Sequence, residues 1–279
     1  MLFLHYSIQD LEITKAATCL QLHLQETFQR MAASEWYKDW FNSSYYHNLY
    51  FERDETEAKR FIQNLLQYLQ PATGSTMLDV ACGKGRHSRI LAEGPYDVTG
   101  IDLSTDSINY AQQFEKDNLH FYLHDMRLPA WINFFDYAFN FFTSFGYFNT
   151  RREHDDAMRT IVNSLKPTGT LLFDFLNVHY AEDHLKVDEE KRMDETVYDI
   201  CRWHDERFFY KKITVTDPAL EKPMEYTEKV AKFSLGDFTD MLSFQNMQVV
   251  DVFGDYDLHP YNVRTTPRMI IVAKKRLVG

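Results

Sequence analysis

No stretch of the chain reaches the roughly 18 apolar residues that a membrane-crossing helix needs, so no membrane span and no membrane partner is expected. Cysteine is scarce. Cys19, Cys82 and Cys201 are odd in number, widely spaced and without a Cys-x-x-Cys pair. That argues against a disulfide framework and against a zinc site, and no metal is expected. Basic charge is in deficit: 30 Lys and Arg stand against 41 Asp and Glu, a net charge of −11. Phosphate backbones need clustered Lys and Arg, so with no basic run nucleic acid is not expected as a partner. The opening Met1-Leu2-Phe3-Leu4-His5-Tyr6 lacks a basic region and is soon followed by Asp10, Glu12 and Lys15, unlike a signal peptide. A cytoplasmic location is the expectation. Repeats and low-complexity tracts are missing too.

What is present is organised around Thr76-Met77-Leu78-Asp79-Val80-Ala81-Cys82-Gly83-Lys84-Gly85-Arg86-His87. It reads as a short apolar strand, an acid near the strand's end, and a glycine turn feeding a helix over Ser88–Glu93. Gly83 and Gly85 permit positive φ and leave no Cβ in the way of a ligand lying on the backbone. The helix start then offers free N–H groups and the positive end of its dipole. A second strand, Asp97 to Asp102, comes next and ends in an acid 102 − 85 = 17 residues beyond Gly85. A carboxylate there can accept both hydroxyls of a ribose. Cys82 reads as a small residue that fits the turn rather than as a nucleophile.

Two cofactors suit such a unit. A nicotinamide dinucleotide prefers a third glycine where this chain has Ser88, and an apolar residue where it has Asp79. S-adenosylmethionine has no pyrophosphate and carries an ammonium and a sulfonium, which an acid such as Asp79 suits. The methyl donor is the favoured cofactor; tight nicotinamide binding would instead mark a dehydrogenase.

Leu78-Asp79-Val80-Ala81-Cys82-Gly83-Lys84-Gly85 resembles the first motif of class I S-adenosylmethionine-dependent methyltransferases. Tyr45-Tyr46-His47-Asn48-Leu49-Tyr50, Asp125-Met126-Arg127 and Ser144-Phe145-Gly146-Tyr147 extend the likeness, over about residues 36–279, to amino-sugar N,N-dimethyltransferases. The resemblance implies a Rossmann-like, doubly wound α/β sheet of seven strands with an antiparallel last strand. It implies that Asp125 accepts from the adenine amino group, with Met126 against the ring. It also implies that Tyr46 and Tyr50 help close the site. The cofactor-binding set expected on this basis is Tyr46, Arg53, Asp79, Ala81, Gly83, Gly85, Asp102, Leu103, Asp125, Met126 and Phe141.

With 279 residues and 44% hydrophobic content, the chain can bury one large core. Four segments are expected. Residues 1–34 form a leader with a modest helical face (Ala17, Leu20, Leu24, Phe28, Met31). Residues 35–178 form a core that opens on the aromatic stretch 35–50 and continues with a helix over Thr56–Leu69. Strands at Leu119–Leu123, Phe135–Phe142 and Thr170–Phe175 alternate there with helices over Ser104–Phe114 and Glu153–Leu165. Residues 179–233 break the alternation with a charge-dense stretch and three strands (196–203, 208–216, 224–233), an inserted antiparallel β flap. Residues 234–279 return to the core with a helix over Leu235–Phe244 and strands at Met247–Phe253 and Arg268–Lys274.

The reaction expected is in-line methyl transfer to a small-molecule acceptor, in which the protein chiefly aligns and desolvates an already activated sulfonium. A nitrogen acceptor needs only a route to its neutral form; an oxygen acceptor needs a base, for which His47, Tyr147 and His179 are the candidates. The alternative is a non-catalytic S-adenosylmethionine-binding sensor or partner subunit. The flap, whose alternation sends Trp203, Phe208, Phe209 and Tyr210 to both faces, offers an acceptor wall or a homodimer seam.

Overall fold

The computed structural model describes residues 36–50 and 55–276. The expected leader over 1–34, and Arg53, lie outside the described residues. The chain divides into two compact units, Tyr50–His184 with Val230–Gly279, and Met1–Leu49 with Leu185–Lys229.

The larger unit is built on a seven-stranded sheet. Its helices and strands are, in order, α3 (Glu55–Leu69), β1 (Thr76–Val80), α4 (Arg86–Leu91), β2 (Asp97–Asp102) and α5 (Thr105–Ala111). They continue with β3 (Leu119–Leu123), β4 (Phe135–Asn140), α6 (Arg151–Ser164), β5 (Leu165–Leu176) and α7 (Val178–Asp183). The unit ends with α8 (Leu235–Phe244), β10 (Met247–Phe253) and β11 (Arg268–Lys275). The strand order is β10-β11-β5-β4-β1-β2-β3. Pairs β1–β2, β1–β4, β2–β3 and β4–β5 are parallel, and β11 runs antiparallel to both β5 and β10. The doubly wound sheet with an antiparallel last strand is therefore present as expected.

Packing is dictated by pattern. β1 is covered on both faces, with Met77 to Val80 all buried, as a central parallel strand must be. On α3 the buried residues Ala58, Phe61, Ile62 and Leu65 recur at helical spacing and form one stripe. Thr150 and Glu153 make a reciprocal capping box that starts α6 at Arg151, two residues earlier than expected. β5 starts earlier than expected as well. The Lys166-Pro167-Thr168-Gly169 turn is absorbed as an irregularity, since pairing jumps from Phe135↔Leu165 to Tyr137↔Thr170.

The smaller unit contains α1 (Trp36–Phe41), α2 (Ser44–Leu49) and a four-stranded sheet. Its strands are β6 (Asp188–Met193), β7 (Thr196–His204), β8 (Phe208–Thr216) and β9 (Met224–Ala231), paired in chain order, with β9 running past the unit's last residue. β6 is the strand the charge-dense stretch concealed; it sits at the sheet edge, where charged side chains are common. The aromatic stretch groups with this sheet rather than with the large one. Trp40 is wholly buried, donates from Nε1 to Glu228 at 2.8 Å and packs on Tyr226 with ring centroids 4.4 Å apart. Tyr198 donates to the Tyr45 carbonyl at 3.2 Å. The register pairs Tyr198↔Val215 and Ile200↔Ile213 bury four side chains on one face of the sheet. Cys201 in β7 is disulfide-bonded, which its spacing did not suggest. Among the described residues no helix is long and apolar enough to cross a membrane.

Candidate functional site

In an open parallel sheet a ligand site forms where neighbouring strands send their connections in opposite directions. Here that point lies between β1, which leads outward to β2 and β3, and β4, which leads outward to β5. Asn140, at the end of β4, is wholly buried and donates from Nδ2 to the Val80 carbonyl at 3.0 Å, tying the two carboxyl ends together.

The glycine turn leaves β1 here. Ala81, Gly83 and Gly85 all have positive φ, at 60°, 55° and 76°. The two glycines have different reasons to be there. A Cβ on Gly83 would meet nothing within 4 Å, so that side of the turn is open. A Cβ on Gly85 would lie 2.5 Å from Cζ of Phe121, so the core itself requires glycine at Gly85. Asp79 also has a structural partner that the sequence did not reveal. Its carboxyl is buried, and its Oδ2 accepts from the equally buried Ser88 hydroxyl at 2.6 Å, tying β1 to α4 across the turn. Burial pushes the Asp79 carboxyl up to about 7, with the Ser88 bond opposing that rise. Ser88, where a dinucleotide site would have its third glycine, is thus the partner of the acid. The Cys82 thiol is likewise raised by burial, consistent with a packing role.

Asp102 closes β2 and joins two turns. Its Oδ2 accepts from the Gly83 amide at 2.8 Å, its Oδ1 accepts from the Ser104 amide at 2.8 Å, and the Leu103 amide is directed at it as well. Burial raises this carboxyl, and those amides pull it back. Each oxygen keeps a lone pair for a hydroxyl donor. Beyond β3, Asp125 is gripped by Arg127, with Nη2 to Oδ2 at 2.6 Å, and Arg127 also reaches Glu153 at 2.8 Å. The Met126 carbonyl accepts from the Thr160 hydroxyl, and its side chain borders a small crevice with Leu78, Ile101, His124 and Trp131.

Phe141, expected to line the cofactor, is buried and packs against Phe61, His87 and Phe139. Sequence reasoning missed its two successors in the chain. Phe142 and Thr143 both have positive φ, 59° and 56°, which is rare for side-chain-bearing residues and rarer still for a β-branched one. Asp174 of β5, Arg268 of β11 and Tyr256 converge there: Arg268 Nε donates to Asp174 Oδ1 at 2.8 Å and Tyr256 donates to Oδ2 at 3.1 Å. A buried acid within an apolar strand, Leu171-Leu172-Phe173-Asp174-Phe175, was the available signal.

The three base candidates are distributed over both units. His47 is on α2 of the smaller unit, with its ring 5.5 Å from that of Tyr46, which in turn packs on Trp40 and Phe41. Tyr147 comes directly after Gly146, whose carbonyl accepts from the Ala231 amide at 2.8 Å. His179 is on α7, half exposed, with Nδ1 3.6 Å from Glu182 Oε2. Asn177, just before it, is committed to structure: its Nδ2 donates to the carbonyls of Asn262 and Thr266.

The open face of Gly83 beside the Asp102 carboxylate suits a ligand with a vicinal diol and no pyrophosphate, and S-adenosylmethionine has that chemistry. Known methyltransferases are similar to this chain. A dTDP-3-amino-3,4,6-trideoxy-alpha-D-glucopyranose N,N-dimethyltransferase of Streptomyces venezuelae is 29% identical over 126 residues, 44% of this chain and 52% of that protein. A tRNA U34 carboxymethyltransferase of Geobacter is 31% identical over 122 residues, 42% of this chain and 36% of that one. The chain spans about half the length, or less, of the curated relatives it matches. An S-adenosylmethionine-dependent methyltransferase from Clostridium acetobutylicum shares the fold, with a TM-score of 0.69 at 18% identity over 83% of this chain and 96% of that one. The methyltransferase-domain family matches residues 71–214, which is 144 of the 279 residues, and the chain belongs to that family.

Proposed function

We propose that the protein transfers a methyl group from S-adenosylmethionine to a small-molecule nucleophile. The observation that carries the reading is the pairing of the open Gly83 turn with the Asp102 carboxylate at the sheet's switch point. When bound, the donor supplies an activated methyl on a sulfonium, so the protein has no bond to polarise and contributes alignment and water exclusion. Asp102 accepts the ribose hydroxyls while its bonds to the Gly83 and Ser104 amides hold both turns still. Asp125, oriented by Arg127, serves the adenine amino group. Gly83 lets the donor's amino-acid end lie on the backbone, and the Asp79–Ser88 bond keeps the start of α4 beneath it.

A small-molecule acceptor is favoured over tRNA by the net charge of −11, which gives a phosphate backbone no general attraction. Tyr147 and His179 lie just past the carboxyl ends of β4 and β5, where an acceptor would stand, and an oxygen nucleophile would give its proton to one of them. A homodimer through the flap is part of the same proposal.

The test is a screen for turnover. Purified protein with S-adenosylmethionine is offered a metabolite library containing amino sugars, and S-adenosylhomocysteine is measured, with bulk tRNA as a separate arm. Product with a small molecule and none with tRNA supports the reading; product with tRNA alone overturns the acceptor class.

A further inference from the structure

The methyl-transfer reading draws on the glycine turn and the acids after β1, β2 and β3, and leaves unused the most deeply buried ion pair near them. Asp174 is 1% exposed. One of its carboxylate oxygens is taken by Arg268, from Nε at 2.8 Å and Nη2 at 2.6 Å. The other accepts from the Phe142 amide at 2.8 Å and the Tyr256 hydroxyl at 3.1 Å, while the Asp174 carbonyl accepts from the Thr143 amide at 2.9 Å. Arg268 Nη2 also donates to the Thr143 hydroxyl at 3.0 Å.

These contacts converge on two residues. Phe142 and Thr143 are consecutive, both left-handed, and neither is glycine. A buried ion pair serving only stability could be replaced by apolar side chains at little cost. Apolar side chains could not hold the Phe142 amide and the hydroxyls of Tyr256 and Thr143 in this arrangement. The Phe142 ring stands near the guanidinium of Arg268 at 5.7 Å and that of Arg86, the first residue of α4, at 5.9 Å. Beneath it the Phe141 ring lies 4.6 Å from His87 and 5.8 Å from Phe61, which also packs on Tyr256 at 4.4 Å. One contact chain therefore runs from the buried pair to the helix after the glycine turn.

We infer that Asp174, Arg268 and Tyr256 are a positioning unit that holds Phe142 and Thr143 left-handed and so sets the turn after β4 against the glycine turn. The inference rests on the methyl-transfer reading, because the two turns flank the point where donor and acceptor would meet. In a reaction limited by alignment, a displacement of about 1 Å in such a turn can cost about a hundredfold in rate.

The experiment uses the full chain and two readouts, amide hydrogen exchange over 142–147 and calorimetric titration with S-adenosylmethionine. The variants are Tyr256→Phe and Arg268→Lys, each alone and combined with Thr143→Gly. Loss of one hydrogen bond to the acid should speed exchange over 142–147 and weaken donor affinity, each by about fivefold. Glycine adopts the left-handed conformation without side-chain strain, so Thr143→Gly should restore both properties in part. A pair that merely staples the core would speed exchange equally over β1 and β5 and gain nothing from the glycine, and that result overturns the inference. If Arg268→Lys fails to fold, Tyr256→Phe decides by itself, and unchanged exchange there overturns the inference too. If the wild-type protein binds no S-adenosylmethionine, the methyl-transfer reading falls while the exchange readout still judges the turn.

Discussion

Gly83 and Gly85 lie two residues apart in one motif, and the structure predicts opposite outcomes for the same substitution. In Gly83→Ala the new Cβ meets no protein atom within 4 Å, so the cost to folding is the left-handed backbone at φ 55° alone. That is about 1–2 kcal/mol, a fall in Tm of roughly 2–8 °C for a chain of this size. The methyl group projects into the side where the donor would lie, and affinity should fall about tenfold or more, as for an overpacked contact. In Gly85→Ala the Cβ would sit 2.5 Å from the Phe121 ring, which is itself wholly buried. Overpacking adds about 1–3 kcal/mol to the backbone cost, giving roughly 2–5 kcal/mol and a much larger fall in Tm. Scanning calorimetry and titration with S-adenosylmethionine, run on both variants, separate the two effects. Normal donor affinity in a folded Gly83→Ala protein, or a Gly85→Ala protein as stable as the Gly83 variant, would refute this division of roles.

Asp102→Ala removes acceptors from the Gly83 and Ser104 amides as well as from the donor. It should weaken S-adenosylmethionine binding by about 1.5–3 kcal/mol and also lower Tm, measured by the same two methods. Asp79 should make stability depend on pH. The folded carboxyl titrates near 7, above its ordinary value of 3.8, so between those values the native state holds a proton that the unfolded chain has lost. Stability should be fullest at the acid end of that window and fall as pH rises through it, on the order of 1.4 kcal/mol per pH unit. Denaturant melts of Asp79→Asn across the window should lack that slope. Glu228→Gln leaves the Trp40 indole an acceptor but removes the charge opposite Lys211, 3.6 Å away, whereas Glu228→Leu also strands the buried indole donor and should cost about 1–3 kcal/mol more than Glu228→Gln, read by Tm.

The sheet was legible because central parallel strands are short apolar runs separated by turn residues, and β1, β2 and β4 fall where those runs lie. Asp102 and Asp125, the acids proposed to hold the donor, stand out for the same reason, since one closes β2 and the other comes just after β3. What pattern could not convey was the partner of each acid. Asp79 read as a residue for the ligand, and its depth and its bond to the Ser88 hydroxyl did not show in the pattern. Asp174 and Arg268, 94 positions apart, meet only because β11 folds back beside β5 in the register that sets Arg268 against Leu176. β6 was hidden because an edge strand can be charged throughout, and the affiliation of Trp40 was hidden because its partner Glu228 lies 188 positions away.

The most direct test of the account is a calorimetric titration of the full chain with S-adenosylmethionine and, separately, with NAD. The account predicts saturable one-to-one binding of S-adenosylmethionine that Gly83→Ala and Asp102→Ala each weaken about tenfold or more, and no matching affinity for NAD. Tight NAD binding with none for S-adenosylmethionine, or S-adenosylmethionine binding that both variants leave unchanged, would contradict it.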